Sequence, residues 1–137
     1  MIDPKKLIPH RAPFLFVDRI EKADRESIVG YRRFPAEEAF FAGHFPGYPV
    51  VPGVILLETM AQVGGAGLKF IDPDRPAIYY FASVDKVKFR RQVRPGDEVR
   101  VEVTLLRSGR TVVKQAGKAY VGDELAAEAE WMVLSTG

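Results

Sequence analysis

The sequence predicts an α+β fold in which one curved antiparallel β-sheet wraps around a single long buried helix. One observation is an apolar segment after Pro52 and Gly53 whose hydrophobic residues point in nearly every direction of a helix, as in buried helices. Another is a series of apolar segments after residue 76, separated by the turn sequences RPGD, SGR and VGD. Short turns between successive strands favour an antiparallel meander.

Composition indicates one globular domain over residues 1–137. Hydrophobic residues make up 47% and charged residues 28%, as in soluble proteins, and the length suffices to bury a core. With no cysteine, the chain can form neither a disulfide nor a thiolate zinc site, which suits a reducing cytoplasm. Two histidines make a metal site improbable, and we expect no metal or organic cofactor. A net charge of +2 is too small to indicate nucleic-acid binding.

The sequence also predicts no membrane segment. Its first residues lack the sustained apolar core of a signal peptide. The longest apolar run, residues 50–57, is interrupted by Pro52 and followed by Glu58, so we expect it not to span a bilayer. We therefore expect a cytoplasmic protein.

Before the main helix, the chain predicts a hairpin and a short helical turn. An apolar run from Phe14 to Ile20 predicts a first strand. Residues 27–34 predict a second strand, paired with the first across a polar turn at residues 22–25. Residues 36–41 can form one helical turn that Gly43 ends.

The main helix is placed at residues 54–70, after the Pro-Gly pair that opens it. Three glycines near its end, Gly64, Gly65 and Gly67, lower its helix propensity but let another backbone approach closely. Beyond the helix, residues 98–107 alternate apolar and polar side chains, as half-buried strands do. The four strands predicted there cover residues 78–89, 98–107, 111–121 and 124–134.

Residues 44–62, HFPGYPVVPGVILLETMAQ, carry the candidate chemistry. Glu58 lies inside an apolar helix, where desolvation disfavours its charged form and raises its pKa. His44 precedes it in a Pro/Gly-broken loop, and histidine titrates near neutral pH, as a general base requires. Gly53 opens the helix, where an unpaired backbone N–H and the helix dipole favour a developing oxyanion. Taken singly, His44 could be structural and Glu58 could belong to a buried ion pair; together they indicate catalysis.

This segment resembles the signature of the β-hydroxyacyl-[acyl carrier protein] dehydratases, hotdog-fold enzymes of bacterial fatty acid synthesis. Two further segments, IPHRAPFLFVDRI near the start and VDKVKFRRQVRPGDEV at residues 84–99, resemble the same family in the same order. The resemblance implies a hotdog fold, an acyl carrier protein partner and a homodimer. In that family the histidine and the carboxylate facing it come from different subunits, and relatives commonly form trimers of dimers.

The resemblance also assigns roles. It implies dehydration of (3R)-hydroxyacyl-[acyl carrier protein] to the trans-2-enoyl product, with His44 and Glu58 as the acid/base pair and the Gly53 N–H polarising the thioester carbonyl. Whether His44 alone moves the proton or shares the work with Glu58 stays open. Gln62, one helical turn after Glu58, either orients that carboxylate or is a polar residue at a subunit interface. The family uses an aromatic residue at about the position of Tyr80 to gate the acyl tunnel, which makes Tyr80 the candidate gate; the alternative is an aromatic residue of the core.

In the sequence, His10 and a group of basic residues lie outside this candidate site. His10 follows a proline before the first predicted strand, and we interpret it as structural. The cations Lys86, Lys88, Arg90, Arg91 and Arg94 form either a docking patch for the acidic carrier protein or a solvated edge. Relatives that also isomerise the double bond carry aspartate in place of Glu58, so glutamate favours the non-isomerising type. The alternatives are a hotdog thioesterase, in which Glu58 activates water, and a noncatalytic acyl-binding subunit.

Overall fold

The computed structural model describes residues 2–135 as a six-stranded antiparallel sheet curved around one helix. Two short 3-10 helices, Pro4–Lys6 and Ala39–Ala42, flank the first hairpin, and Gly43 caps the second of them as predicted. The remaining elements are β1 (Arg19–Ala23), β2 (Ile28–Arg33), α1 (Gly53–Ile71), β3 (Tyr79–Phe89), β4 (Glu98–Ser108), β5 (Val112–Val121) and β6 (Glu124–Ser135).

Helix α1 packs on the concave face of the sheet through its small residues. A Cβ atom on Gly67 would lie 2.5 Å from the side chain of Ile28 in β2, and one on Gly64 would collide with Gln115 in β5. Gln115 donates to the Gly64 carbonyl oxygen at 3.2 Å and accepts from the Trp131 indole at 3.1 Å. Side chains of the sheet, rather than the predicted backbone, thus come too near Gly64 and Gly67 for larger residues, whereas a Cβ atom on Gly65 would have its nearest neighbour 3.9 Å away on Ile8.

The strand order is β1-β2-β4-β5-β6-β3, which corrects part of the predicted meander. Strands β4, β5 and β6 do form an antiparallel meander. Strand β3, however, does not pair with β4, which follows it in the chain, but with β6. Residues 90–97, between β3 and β4, carry the chain from one side of the sheet to the other. The prediction failed here because a short turn sequence does not reveal whether its strands are neighbours.

The first strand also differs from the prediction, which placed it from Phe14 to Ile20. The backbone there is irregular until Arg19, since the Phe14 carbonyl and the Phe16 N–H bond to the Gln62 side chain rather than to β2. The strand then continues through Lys22 and Ala23, which had been assigned to the turn.

Helix α1 is covered on only part of its circumference. Met60, Val63 and Ala66 are fully buried against the sheet, but Val54 is 69% exposed. Among residues 2–135, α1 is the one helix long and apolar enough to cross a membrane by length and composition. Half of that stretch is buried inside the fold, and the core helix of a soluble protein passes the same test.

Strand β3 leaves one edge of the sheet open and apolar. It pairs with β6 on one side only, and nine of its eleven residues are exposed. Its exposed side chains include Tyr80, Phe81, Val87 and Phe89. A long apolar edge strand is a template for pairing with another chain.

Candidate active site

The predicted site residues line two separate cavities. The first, of about 360 Å³, is lined by Glu58, Gln62 and Tyr80 together with His10. The second, of about 510 Å³, is lined by His44 and Gly53 and by Phe89 at the end of β3. A single chain thus places His44 and Glu58 in different cavities.

Gln62 fixes the Glu58 carboxylate. Its amide nitrogen donates to Glu58 Oε2 at 2.9 Å and to the Phe14 carbonyl oxygen at 3.0 Å, and its amide oxygen accepts from the Phe16 N–H at 2.8 Å. The Gln62 side chain is buried, so these bonds hold it in one orientation. The N-terminal segment therefore positions Gln62, and Gln62 positions Glu58.

Burial raises the pKa of the Glu58 carboxyl above its ordinary value of 4.5. The hydrogen bond from Gln62 and the charge of His10 both oppose this shift without cancelling it. The Glu58 side chain is 18% exposed, facing the cavity. A carboxyl group in this environment holds a proton more readily than one in water, as a general acid requires.

A short loop fixes the His44 ring in one tautomer. Its Nδ1 lies 3.0 Å from the Val50 carbonyl oxygen, and the Val50 N–H donates back to the His44 carbonyl at 2.9 Å. A carbonyl can only accept, so Nδ1 carries the hydrogen. In the neutral ring, Nε2 is then left with a free lone pair. The ring also stacks on Phe45, with 4.0 Å between the ring centroids.

Gly53 is the first residue of α1 and lies in the same cavity as His44. The N–H groups of Ile55 and Leu56 donate to the Pro52 carbonyl, so the Gly53 N–H precedes the first helical hydrogen bonds. A Cβ atom here would lie 2.8 Å from the Phe89 ring. A larger residue here would therefore have to push the Phe89 ring aside.

The sequence model of the FabA-like domain matches residues 8–130. The chain belongs to the FabA-like family. The 3-hydroxyacyl-[acyl-carrier-protein] dehydratase FabZ of Desulforamulus reducens is 50% identical over 129 residues, covering 93% of this chain and 91% of that relative. The enzyme of the same name from Pelotomaculum thermopropionicum is 51% identical over 129 residues, covering 93% and 92%.

A solved structure confirms the fold of this FabA-like chain. The dehydratase heterocomplex ApeI:P from Xenorhabdus doucetiae superposes with a TM-score of 0.85, covering 100% of this chain and 93% of that one. Its sequence identity is 12%, so the likeness concerns the fold alone. The predicted hotdog architecture, one central helix in a curved antiparallel sheet, is confirmed.

The FabA-like chain places a residue beside Glu58 that the sequence did not indicate. His10, interpreted above as structural, lines the Glu58 cavity, with Nε2 3.7 Å from Glu58 Oε2. Its Nδ1 is buried without a hydrogen-bond partner in the structure. No spacing rule could have found this contact, because the two residues are distant in sequence and His10 lies outside regular structure.

The basic residues near the end of β3 do not simply alternate along one face of that strand. A bulge between Asp85 and Lys88 breaks the alternation along β3. Lys86 lies 3.4 Å from Glu130, and Arg90 donates to Glu128 at 2.9 Å. Arg91, 3.3 Å from Glu124, lines the His44 cavity together with Arg90. Much of the positive charge is thus already paired with acidic side chains.

Proposed function

We propose that this chain dehydrates (3R)-hydroxyacyl-[acyl carrier protein] to the trans-2-enoyl product, in a soluble cytoplasmic enzyme of bacterial fatty acid synthesis. The activity follows from the dehydratases that are about half identical to it over nearly the whole chain. The observation that carries the mechanism is the division of His44 and Glu58 between two cavities that both border β3. Each active site is therefore built from two subunits.

The apolar edge of β3 supports a dimer of this geometry. Tyr80 and Phe81 near its start border the Glu58 cavity, and Phe89 at its end borders the His44 cavity. Tyr80 and Phe89 are separated by about 30 Å of extended strand. In a twofold antiparallel pairing of β3 with its copy, the start of each strand lies opposite the end of the other. The Glu58 cavity of each subunit thus meets the His44 cavity of its neighbour.

His44 acts as the base. Its Nδ1–H is held by the Val50 carbonyl, so Nε2 takes the proton from Cα of the substrate. The electron pair of that C–H bond forms the Cα=Cβ double bond as the bond from Cβ to the hydroxyl oxygen breaks. Negative charge that develops on the thioester oxygen is stabilised by the Gly53 N–H at the start of α1.

Glu58 of the partner subunit acts as the acid. Its raised pKa favours the protonated carboxyl, which gives its proton to the departing hydroxyl so that water leaves. Gln62 donates to Oε2, which leaves Oε1 to carry that proton toward the substrate. After the reaction His44 is protonated and Glu58 ionised, and one proton transferred from His44 to Glu58 restores both groups.

The acyl chain occupies the Glu58 cavity, and Tyr80 gates it. Tyr80 is half exposed on β3 and lines this cavity, as a gate at its mouth requires. The carrier protein docks beside the His44 cavity, where Arg90 and Arg91 meet the acidic partner. As the resemblance implies, the dimers associate further into trimers of dimers.

A product assay tests this proposal. The purified protein is given a 3-hydroxyacyl thioester of acyl carrier protein, and enoyl formation and thiol release are followed together. We expect enoyl product without thiol release. Release of free thiol would instead identify a thioesterase that uses Glu58 to activate water. Tight acyl binding without any product would identify a noncatalytic acyl-binding subunit.

Subunit mixing tests the shared site. We expect His44→Ala and Glu58→Gln chains to be inactive separately and to regain activity when mixed, because a mixed dimer holds one intact site. Native mass spectrometry confirms that the chains have exchanged. Exchange without recovery would mean that each site is built within one chain.

A further inference from the structure

The Glu58 cavity extends along helix α1 as a largely apolar groove. Its helical lining residues recur three and four positions apart on one face, from Glu58 through Gly65 to Lys69. This stripe is about 16 Å long. His10 and Gln62 lie beside Glu58 at one end, and apolar side chains line the groove beyond them. These are Leu7, Ile8, Phe14, Ala61, Leu68 and Val133.

The far end of the groove is lined by Arg75, in the loop between α1 and β3. Lys69 Nζ donates to the Arg75 carbonyl oxygen at 2.6 Å, which ties this loop to the end of the helix. The Arg75 guanidinium donates to the Gly109 carbonyl at 2.8 Å and to the Ser108 hydroxyl, both at the turn between β4 and β5. It also lies 3.4 Å from the Tyr79 hydroxyl, which in turn donates to the Arg110 carbonyl.

These bonds make Arg75 a rigid barrier. Its side chain is only 10% exposed, and Asp72 lies 3.9 Å from it. An alkyl chain that reached the guanidinium could neither hydrogen-bond to it nor solvate it. Displacing the guanidinium would break its bonds and leave a buried charge without partners, which is strongly unfavourable.

We propose that Arg75 is the residue that sets the maximum acyl chain length of this enzyme. The inference rests on the proposed function, since it requires the acyl chain to lie in the groove with its reacting carbons at Glu58. The methyl end of the longest accepted chain stops at the guanidinium, and longer chains are rejected because they must displace it.

Chain-length profiles of designed variants test this inference. Relative kcat/KM is measured on 3-hydroxyacyl-[acyl carrier protein] substrates of increasing even chain length. For the wild type, we expect kcat/KM to fall sharply beyond one acyl chain length. Arg75→Ala raises kcat/KM about tenfold for the first substrates beyond that limit, relative to a short substrate, because their last carbons gain apolar burial. Arg75→Gln, which can still donate to the Gly109 carbonyl but is shorter and neutral, shows the same change if the alanine variant does not fold.

Arg110→Ala is the matched control. It removes an exposed arginine from the adjoining turn that does not line the groove, and we expect the wild-type profile. Arg75 variants that keep both short-chain activity and the wild-type limit would overturn the role of Arg75 while leaving the proposed function intact. A wild-type profile without an upper limit would do the same. Absence of enoyl product at every length would overturn both proposals.

Discussion

The pKa of Glu58 is set by opposing effects of its neighbours. The cavity removes water from the carboxyl and raises its pKa, whereas the Gln62 amide and His10 favour the charged form. Because Gln62 is itself held by the backbone at Phe14 and Phe16, the carboxyl keeps one orientation in either protonation state. A proton donor needs that combination of a raised pKa and a fixed position.

Glu58→Gln tests the acid role. The amide keeps the shape of the side chain but cannot release a proton to the leaving hydroxyl. We expect kcat to fall by roughly two to four orders of magnitude, with an unchanged far-UV spectrum. The measurement is enoyl formation at saturating substrate. Wild-type turnover in this variant would reduce Glu58 to a structural residue.

The same variant has a predictable effect on stability. Since burial raises the pKa of Glu58 above 4.5, the folded state holds the proton more tightly than the unfolded chain does. The stability that this provides is fully present below the unfolded pKa and is lost as pH rises through the folded pKa. The Glu58→Gln variant has no ionisable group at this position, so its stability does not fall for this reason as pH rises. The Tm of the variant relative to wild type should therefore increase from about pH 4 to about pH 8, as thermal unfolding at each pH would show.

His10→Gln tests the influence of the neighbouring imidazole. The charge of His10 lowers the pKa of Glu58, so removing it should raise that pKa. The midpoint of Glu58 ionisation, followed by NMR of its side-chain carboxyl over a pH titration, should then move to higher pH. Lys22→Met, which removes an exposed cation that does not line this cavity, is the control and should leave the midpoint in place. An unmoved midpoint in His10→Gln would mean that the two residues do not interact.

Site residues within one helix were more predictable than those that long-range packing brings together. The contact between Glu58 and Gln62 follows from their four-residue spacing, which puts them on one helical face. The approach of His10 to Glu58 depends on how an irregular segment crosses the helix, and no local pattern encodes it. The roles of His44, Gly53 and Tyr80 remain predictions, and the subunit-mixing experiment addresses that of His44.

At the scale of elements, glycines on two faces of α1 should respond oppositely to alanine. Gly67→Ala places a Cβ 2.5 Å from Ile28 and should destabilise the fold by about 1–3 kcal/mol. Gly65 faces the cavity, where the nearest atom to a new Cβ is 3.9 Å away on Ile8. Gly65→Ala should therefore stabilise by about 0.5–1 kcal/mol through higher helix propensity. Urea unfolding at matched protein concentration measures both changes, and equal signs would contradict the packing described here.

The elements themselves were largely predictable, whereas one of their pairings was not. The predicted bounds of α1 and β2 differ from the observed ones by one residue at each end, because apolar periodicity and Pro/Gly signals are local. The pairing of β3 with β6 instead depends on how the whole sheet closes around the helix. The late start of β1 has a similar cause, since Gln62 takes the backbone hydrogen bonds that a strand would have used.

For the whole molecule, the open edge of β3 predicts that assembly and activity are lost together. Ala82→Lys combined with Ser83→Lys puts like charges on both copies of the exposed strand. We expect the Kd of the dimer to rise about tenfold or more, with activity falling in proportion to the dimer fraction. Sedimentation velocity and enoyl formation over a dilution series measure the two quantities. Thr104→Lys, on an exposed position of the interior strand β4, is the control. Full activity in a monomeric variant would contradict the shared site.

The proposed sharing of each active site between two subunits also predicts a genetic consequence. A chain that lacks only His44 inactivates one of the two sites in a mixed dimer. A cell that expresses it in equal amount with wild type then has about half the activity of a cell with the same total amount of wild-type chain. A chain that lacks both residues spoils both sites of every mixed dimer and leaves about a quarter. A chain with a single lesion thus lowers activity only to the share of wild-type chains in the cell. A chain with the double lesion lowers activity below that share and is therefore dominant-negative.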